Sequence, residues 1–310
     1  MSEATALPAP RRNWLLHVGL FVATCASTTF AGMVNGGSWR AGGIFAATLM
    51  AILLAHEMGH YVLARRHGVD VSLPYFIPLP VGIGTMGAVI KMRARIPSRD
   101  ALVDIGAAGP LAGLVVAVPL LIVGVWLSPL GASPPGGMQE GNSLIYVGIK
   151  LVLKGLYLPA GNLDVQLHPM AFAAWVGILV TFINLIPIGQ LDGGHVAYGY
   201  LGHDRHERFS GWLHRALLGI AIVVAGSLTL LARFQNHASW RNAAIHGVES
   251  ALPWAVWTLM ILLMRRFAGG VYHPKVAGDR LSPRQRRIAV LMLAVLLLIF
   301  TPVPMREVLP

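Results

Sequence analysis

The sequence predicts an all-α polytopic membrane protein of about six to seven transmembrane helices, with a short membrane-associated β segment between the second and third. Three observations carry this. Hydrophobic residues make up 55% of the 310 and charged residues only 12%, with a mean hydropathy of +0.64, a composition far from that of soluble domains. Apolar runs fall near residues 14–35, 42–64, 101–127, 169–188, 211–232, 251–264 and 286–302, most of them close to the length a helix needs to cross a bilayer. Between the second and third runs, "VSLPYFIPLPVGIGTMGAVIKMRARI" (71–96) is rich in proline, glycine and β-branched residues, and its "AVIKMR" nears strand alternation.

Taken in order, the amino-terminal "MSEATALPAPRRN" is too short and proline-rich for a signal or transit peptide, so the first run is expected to persist as a helix. Placing the amino terminus inside puts 18 of the 24 Lys and Arg residues on the inner side, leaving Arg40, Lys150, Lys154, Arg233, Arg241 and Arg306 outside. Basic residues collect on the cytoplasmic side of membrane proteins, so the net charge of +11 is topological and nucleic-acid binding is not needed to explain it. The single cysteine, Cys25, excludes an internal disulfide framework. After the third run, "SPLGASPPGGMQEGN" (128–142) reads as a loop. The following "SLIYVGIKLVLKGLY" (143–157), with Lys150 and Lys154 one turn apart, reads as an amphipathic helix on the outer membrane surface or as a half-helix dipping into it. Neither a repeat nor a soluble module large enough to fold alone interrupts the spans, so residues 1–310 are expected to form one integral membrane domain.

The second run contains "ILLAHEMGHYVLARR" (52–66). His56 and His60, four apart, share one helix face and can converge on a metal, while Glu57 beside them can take a proton from water that the metal activates and later return one to a leaving amine. Such polar residues inside an apolar helix destabilise insertion unless partners satisfy them. Arg65 marks the inner boundary and His56 precedes it by nine residues, which at 1.5 Å per residue places the pair roughly 14 Å into the bilayer. A hydrated cavity must therefore reach it.

A catalytic zinc has three protein ligands and an open position, so one more ligand is required. Asp104 is expected to act as an interfacial cap of the third helix, and His168 lies on the outer side. Asp192, in "TFINLIPIGQLDGGHVAYG" at the inner end of the fourth run, is the best placed. Around it Pro187 breaks the helix and Gly189, Gly193 and Gly194 permit close backbone approach. Asn184 offers an amide for a developing oxyanion or for a neighbouring helix. His195 is open to three roles: supporting the metal ligands, touching substrate, or packing.

These residues resemble the site-2 protease family of intramembrane zinc metalloproteases. The resemblance rests on His56-Glu57-Met58-Gly59-His60 and on "NLIPIGQLDGG" (184–194), similar to that family's second motif. It is extended by "DIGAAGPLAG" (104–113), similar to its glycine-rich third core helix, and by "GIGTMGAVI" (82–90), similar to its membrane-associated β segment. The catalytic core then covers about residues 42–200, with flanking helices at about 14–35 and 211–302. The resemblance implies one zinc held by His56, His60 and Asp192, with Glu57 as general base and Asn184 at substrate or oxyanion. It further implies a membrane-anchored protein substrate cut within its transmembrane segment. Strand addition to Gly84, Thr85, Met86, Gly87, Ala88, Val89 and Ile90 would hold that substrate extended. The PDZ and CBS domains of many members have no counterpart in this sequence. The alternatives are a metal or ion transporter using the same intramembrane ligands, which has no need of Glu57, and an inactive scaffold, although every motif position is filled. The expected location is a bacterial inner membrane, with a photosynthetic membrane as the alternative, and with the amino terminus and active-site side cytoplasmic.

Overall fold

The computed structural model describes residues 14–132, 137–161, 163–235, 237, 239–278 and 280–307; the amino-terminal segment and part of the proline-rich stretch after the third run lie outside these. Helices α1 (Trp14–Gly36) and α2 (Trp39–Arg66) form a hairpin. Ser38 caps α2 by accepting from the Ala41 N–H at 3.1 Å. Arg65 and Arg66 close its last turn, where positive charge suits the helix dipole. Strands β1 (Tyr75–Pro78) and β2 (Thr85–Val89) follow as an antiparallel pair, Tyr75 opposite Val89 and Phe76 opposite Ala88. β1 rests on α1, where Phe21 meets Phe76 edge-on and a ring nitrogen of His17 meets the Pro74 carbonyl at 3.0 Å. Among the described residues β2 has no strand on its second edge.

Helix α3 (Arg99–Leu127) is capped by Ser98, which accepts from the Ala101 N–H. Asp104 is not the cap expected of it. It lies inside the helix, and its carboxylate meets His67 Nε2 at 3.0 Å and accepts from Gln285 Nε2 at 3.3 Å, tying the ends of three helices together. The stretch expected to be all loop contains strands β3 (Leu130–Ala132) and β4 (Met138–Glu140). Helix α4 (Leu144–Lys154) then precedes β5 (Leu163–Val165), which pairs with β3.

The amphipathy of α4 is the reverse of a surface helix. Val152 and Leu144 face outward, whereas Lys150 is fully buried against Asp164 at 3.3 Å, and Lys154 donates to the Ser128 carbonyl at 2.6 Å. The lysines seek acceptors within the protein rather than lipid head groups, because Asp164 arrives from β5, a partner invisible in the periodicity of α4 itself.

Helix α5 (Pro169–Asn184) ends short of the expected residue 188, since Pro187 has no N–H to give and disfavours helix at the residue before it. The chain turns and re-enters as α6 (Asp192–Leu201). Helix α7 (His203–Phe234) begins well before its apolar run, and α8 (Trp240–Phe267) extends far beyond the expected 251–264. Its polar opening, "WRNAAIHGVES", escapes hydropathy but is capped by Ser239 and packs along α7. Helix α9 (Pro283–Ile299) leads to β6 (Met305–Glu307), which pairs with β4. Among the described residues five helices, α1, α2, α3, α7 and α8, are long and apolar enough to cross a bilayer, and α5 is a shorter apolar helix. The core sits where Leu49, Ile52 and Leu53 of α2, Leu121 of α3 and Val176 and Ile178 of α5 meet. Within lipid, van der Waals fit rather than exclusion of water holds such helices together.

The buried pair yields a stability test. Lys150→Met leaves the Asp164 carboxylate uncompensated and should destabilise the detergent-purified protein by about 3–5 kcal/mol, with much of this recovered in Lys150→Met/Asp164→Asn. Thermal unfolding of the two variants measures it, and equal losses would show that the pair does not act as a unit.

Candidate active site

His56, Glu57 and His60 lie on consecutive turns of α2, all three buried. Asp192 opens α6, 136 residues along the chain from His56, and reaches both histidines: Oδ2 lies 3.1 Å from His56 Nε2 and Oδ1 lies 3.2 Å from His60 Nε2. The two Nε2 atoms are themselves 3.2 Å apart. A carbonyl only accepts, so the 2.7 Å contact between His60 Nδ1 and the Ile105 carbonyl fixes the proton on Nδ1 and leaves a lone pair on Nε2. A single proton on His56 Nε2 can satisfy only one of its two neighbours, whereas a cation answers all of the converging lone pairs. With metal–ligand lengths of 2.0–2.1 Å, the edge of a tetrahedral zinc site is about 3.3 Å, close to the three separations observed. Of the His, Cys, Asp and Glu residues described, only His56, His60 and Asp192 form a group able to hold a metal ion.

The glycines of α3 make room for this centre. A Cβ on Gly109 would lie 2.0 Å from His60 Nε2, so even alanine there drives the imidazole out of place. The turn from α5 to α6 has a similar demand: a Cβ on Gly193 would meet the Leu185 carbonyl oxygen at 1.9 Å. Backbone packing that tight is what brings Asp192 back toward α2.

A cavity of about 220 Å³ opens beside the three ligands, lined also by Glu57, Asn184, His195 and the β2 side, Ala88, Val89 and Ile90. The Ile90 backbone lies against the Glu57 carboxylate. Of the strand residues expected from the sequence, Thr85 to Val89 form β2, Gly84 precedes it and Ile90 follows it. Gly84 is also tied to α1, its carbonyl accepting from Ser27 Oγ at 2.6 Å, and Thr85 bonds within the hairpin; the cavity side is therefore the end near Ala88. His168 caps α5, accepting from the Met170 N–H, and is not among the three converging groups.

His195 brings a residue that the sequence reading missed. Its Nδ1 lies 2.8 Å from Nε2 of His273, and His273 Nδ1 lies 2.6 Å from the Pro274 carbonyl. Burial holds His273 below its ordinary pKa, so it is neutral at pH 7. Its Nδ1 must donate to the carbonyl, its Nε2 must accept, and His195 Nδ1 must therefore be the donor. In a neutral His195 ring the other nitrogen, Nε2, is then unprotonated, on a side chain that lines the cavity. The chain around His273 is held by Glu207, whose carboxylate accepts from the Tyr272 and His273 N–H groups at 2.9 Å. In sequence His273 is one of twelve histidines, in a connection between helices that carries no periodic signal.

Comparison with known proteins extends the geometry. The chain is 35% identical over 188 residues to the probable zinc metalloprotease EGY1, chloroplastic, of Oryza sativa subsp. japonica, covering 59% of this chain and 32% of the relative. It is 35% identical over 188 residues to the protein of the same name from Arabidopsis thaliana, covering 59% and 33%. It is 33% identical over 183 residues to the probable zinc metalloprotease EGY2, chloroplastic, of Arabidopsis thaliana, covering 58% and 32%. The chain thus spans about a third of the length of these curated relatives, whose names are chloroplastic rather than bacterial. No solved structure matches it. The model of the family described as peptidase family M50 matches residues 44–228, more than half the chain and inclusive of every ligand and cavity residue named above except His273, and the chain belongs to that family.

Proposed function

We propose that this chain is a zinc-dependent intramembrane endopeptidase that cuts transmembrane segments of membrane-anchored proteins. The convergence of His56, His60 and Asp192 beside a buried Glu57, at the free edge of a strand, carries the reading. His56, His60 and Asp192 would hold a zinc ion, which when bound would supply a Lewis acid able to polarise a carbonyl and acidify water. Glu57 takes the proton of the attacking water and hands one to the leaving amine. The Asn184 amide, on the cavity wall, donates to the developing oxyanion. His195 presents its bare Nε2 as an acceptor for a substrate N–H. A helical substrate hides its carbonyls in i to i−4 bonds, so it must unwind first, and the free edge of β2 offers the unwound strand its backbone partners.

An ion-transport reading would require further ligand groups along a path, and among the described residues only this one group converges. The arginine-rich end of α2, nearest the site, is the side we place in the cytoplasm. The relatives' names favour a photosynthetic membrane over the bacterial inner membrane expected from the sequence.

Elemental analysis of the detergent-purified chain should find about one zinc, lost in His56→Ala and Asp192→Ala and retained in His195→Ala; the reverse pattern for the last two would make His195 the third ligand. Glu57→Gln should keep the zinc and lower cleavage of a transmembrane reporter by at least about 10²-fold, and substantial turnover would remove Glu57 from the base role. For His273→Ala the expectation is on the order of a tenfold loss, mostly in KM, with zinc unchanged. Zinc loss in that variant would mean that His273 supports the metal instead.

A further inference from the structure

We propose that the groove between α7 and α9, floored by α6, is a binding site for an anionic phospholipid of the inner leaflet. The proposal is independent of the proteolytic reading. The groove encloses about 280 Å³ and is walled almost wholly by apolar atoms, with Val196 of α6, Phe209 of α7 and Val290 and Leu293 of α9 among its lining. Along α9 it runs from Ala289 to Leu296, roughly 10 Å at 1.5 Å per residue. Its inner end is at Tyr200, whose carbonyl, like that of Gly199, accepts from the Arg99 guanidinium at the start of α3. Its deep end reaches Leu185 and Pro187.

On α7 and on α9 alike, an arginine stands about one helical turn before the first residue that lines the groove. Arg286 precedes Ala289, Val290 and Leu293 by three, four and seven residues and so shares their stripe. Arg205 precedes Phe209 by four. Both are exposed, and among the described residues neither forms an ion pair. Arg284 and Arg287 fall on the opposite side of α9 at 100° per residue. The positive-inside rule explains arginines at this depth, but not their registration with the two walls of one groove. Over this roughly 10 Å run and about 280 Å³, part of a single acyl chain finds room, whereas a helix about 10–12 Å across does not. The arginine pair then faces the phosphate, and the recognised chemistry is an acyl chain joined to a net negative head group. The occupant packs against Leu185, Pro187 and Gly193, the back of the segment that bears Asn184 and Asp192.

The test is native mass spectrometry of the detergent-purified full chain titrated with phosphatidylglycerol or phosphatidylcholine of identical acyl chains. Wild type should prefer phosphatidylglycerol by on the order of tenfold. Arg205→Gln/Arg286→Gln should lose that preference, whereas Arg284→Gln/Arg287→Gln, which removes equal charge, should keep it. No preference in wild type, or equal loss in both variants, would overturn the site in favour of diffuse attraction. A photoreactive side chain at Val290, in vesicles of equal phosphatidylglycerol and phosphatidylcholine, tests the otherwise unaltered protein. Adducts enriched in phosphatidylglycerol support the site, while adducts unenriched in it, or adducts to a polypeptide, overturn it, the last pointing to a docked protein segment.

Discussion

The structure depends on bringing three lone-pair donors from two distant helices to within 3.2 Å of one another inside a membrane. Water is scarce at that depth, so each group must be answered by protein or by a cation. That requirement accounts for features that would otherwise be defects. Glycine, a poor helix former, lines α3 because the His60 ring occupies the volume of a side chain at Gly109. Helix α5 is too short to be a comfortable span because it must stop at Asn184 for the chain to turn back with Asp192.

The helices beyond the core are tied to the same problem. The connection between α8 and α9 delivers His273 to His195, and Glu207 of α7 binds its backbone. Asp104 gathers His67 and Gln285, joining α3 to the end of α2 and the start of α9. Elsewhere Lys150 and Asp164 form a buried pair that fixes α4 against β5. Such a pair contributes little net stability against an apolar alternative, but it penalises every arrangement that leaves one partner alone. The centre is thus clamped from both sides by polar contacts whose partners lie far apart in sequence.

β1 occupies one edge of β2 and rests on α1, and among the described residues no strand pairs with the other edge; the proposed substrate strand would use that edge. Helix α1, beyond the motifs that carry the chemistry, thereby acquires a task in holding the hairpin.

The sequence by itself determined the membrane class and the shared helix face of His56 and His60, and it pointed to Asp192 as the best-placed third group. Each of these is local: apolar length, a four-residue spacing, a proline that ends a helix. The beginnings of α7 and α8 were not legible, because their polar first turns fall outside any hydropathy window although caps and packing extend the helices. Only the tertiary structure decided that Lys150 turns inward, that Asp104 is a partner rather than a cap, and that His273, 78 residues from His195, sets its tautomer. The physical reason is that a side chain's periodicity records the face it occupies, whereas its partner is chosen by the packing of helices that the intervening chain leaves free to meet.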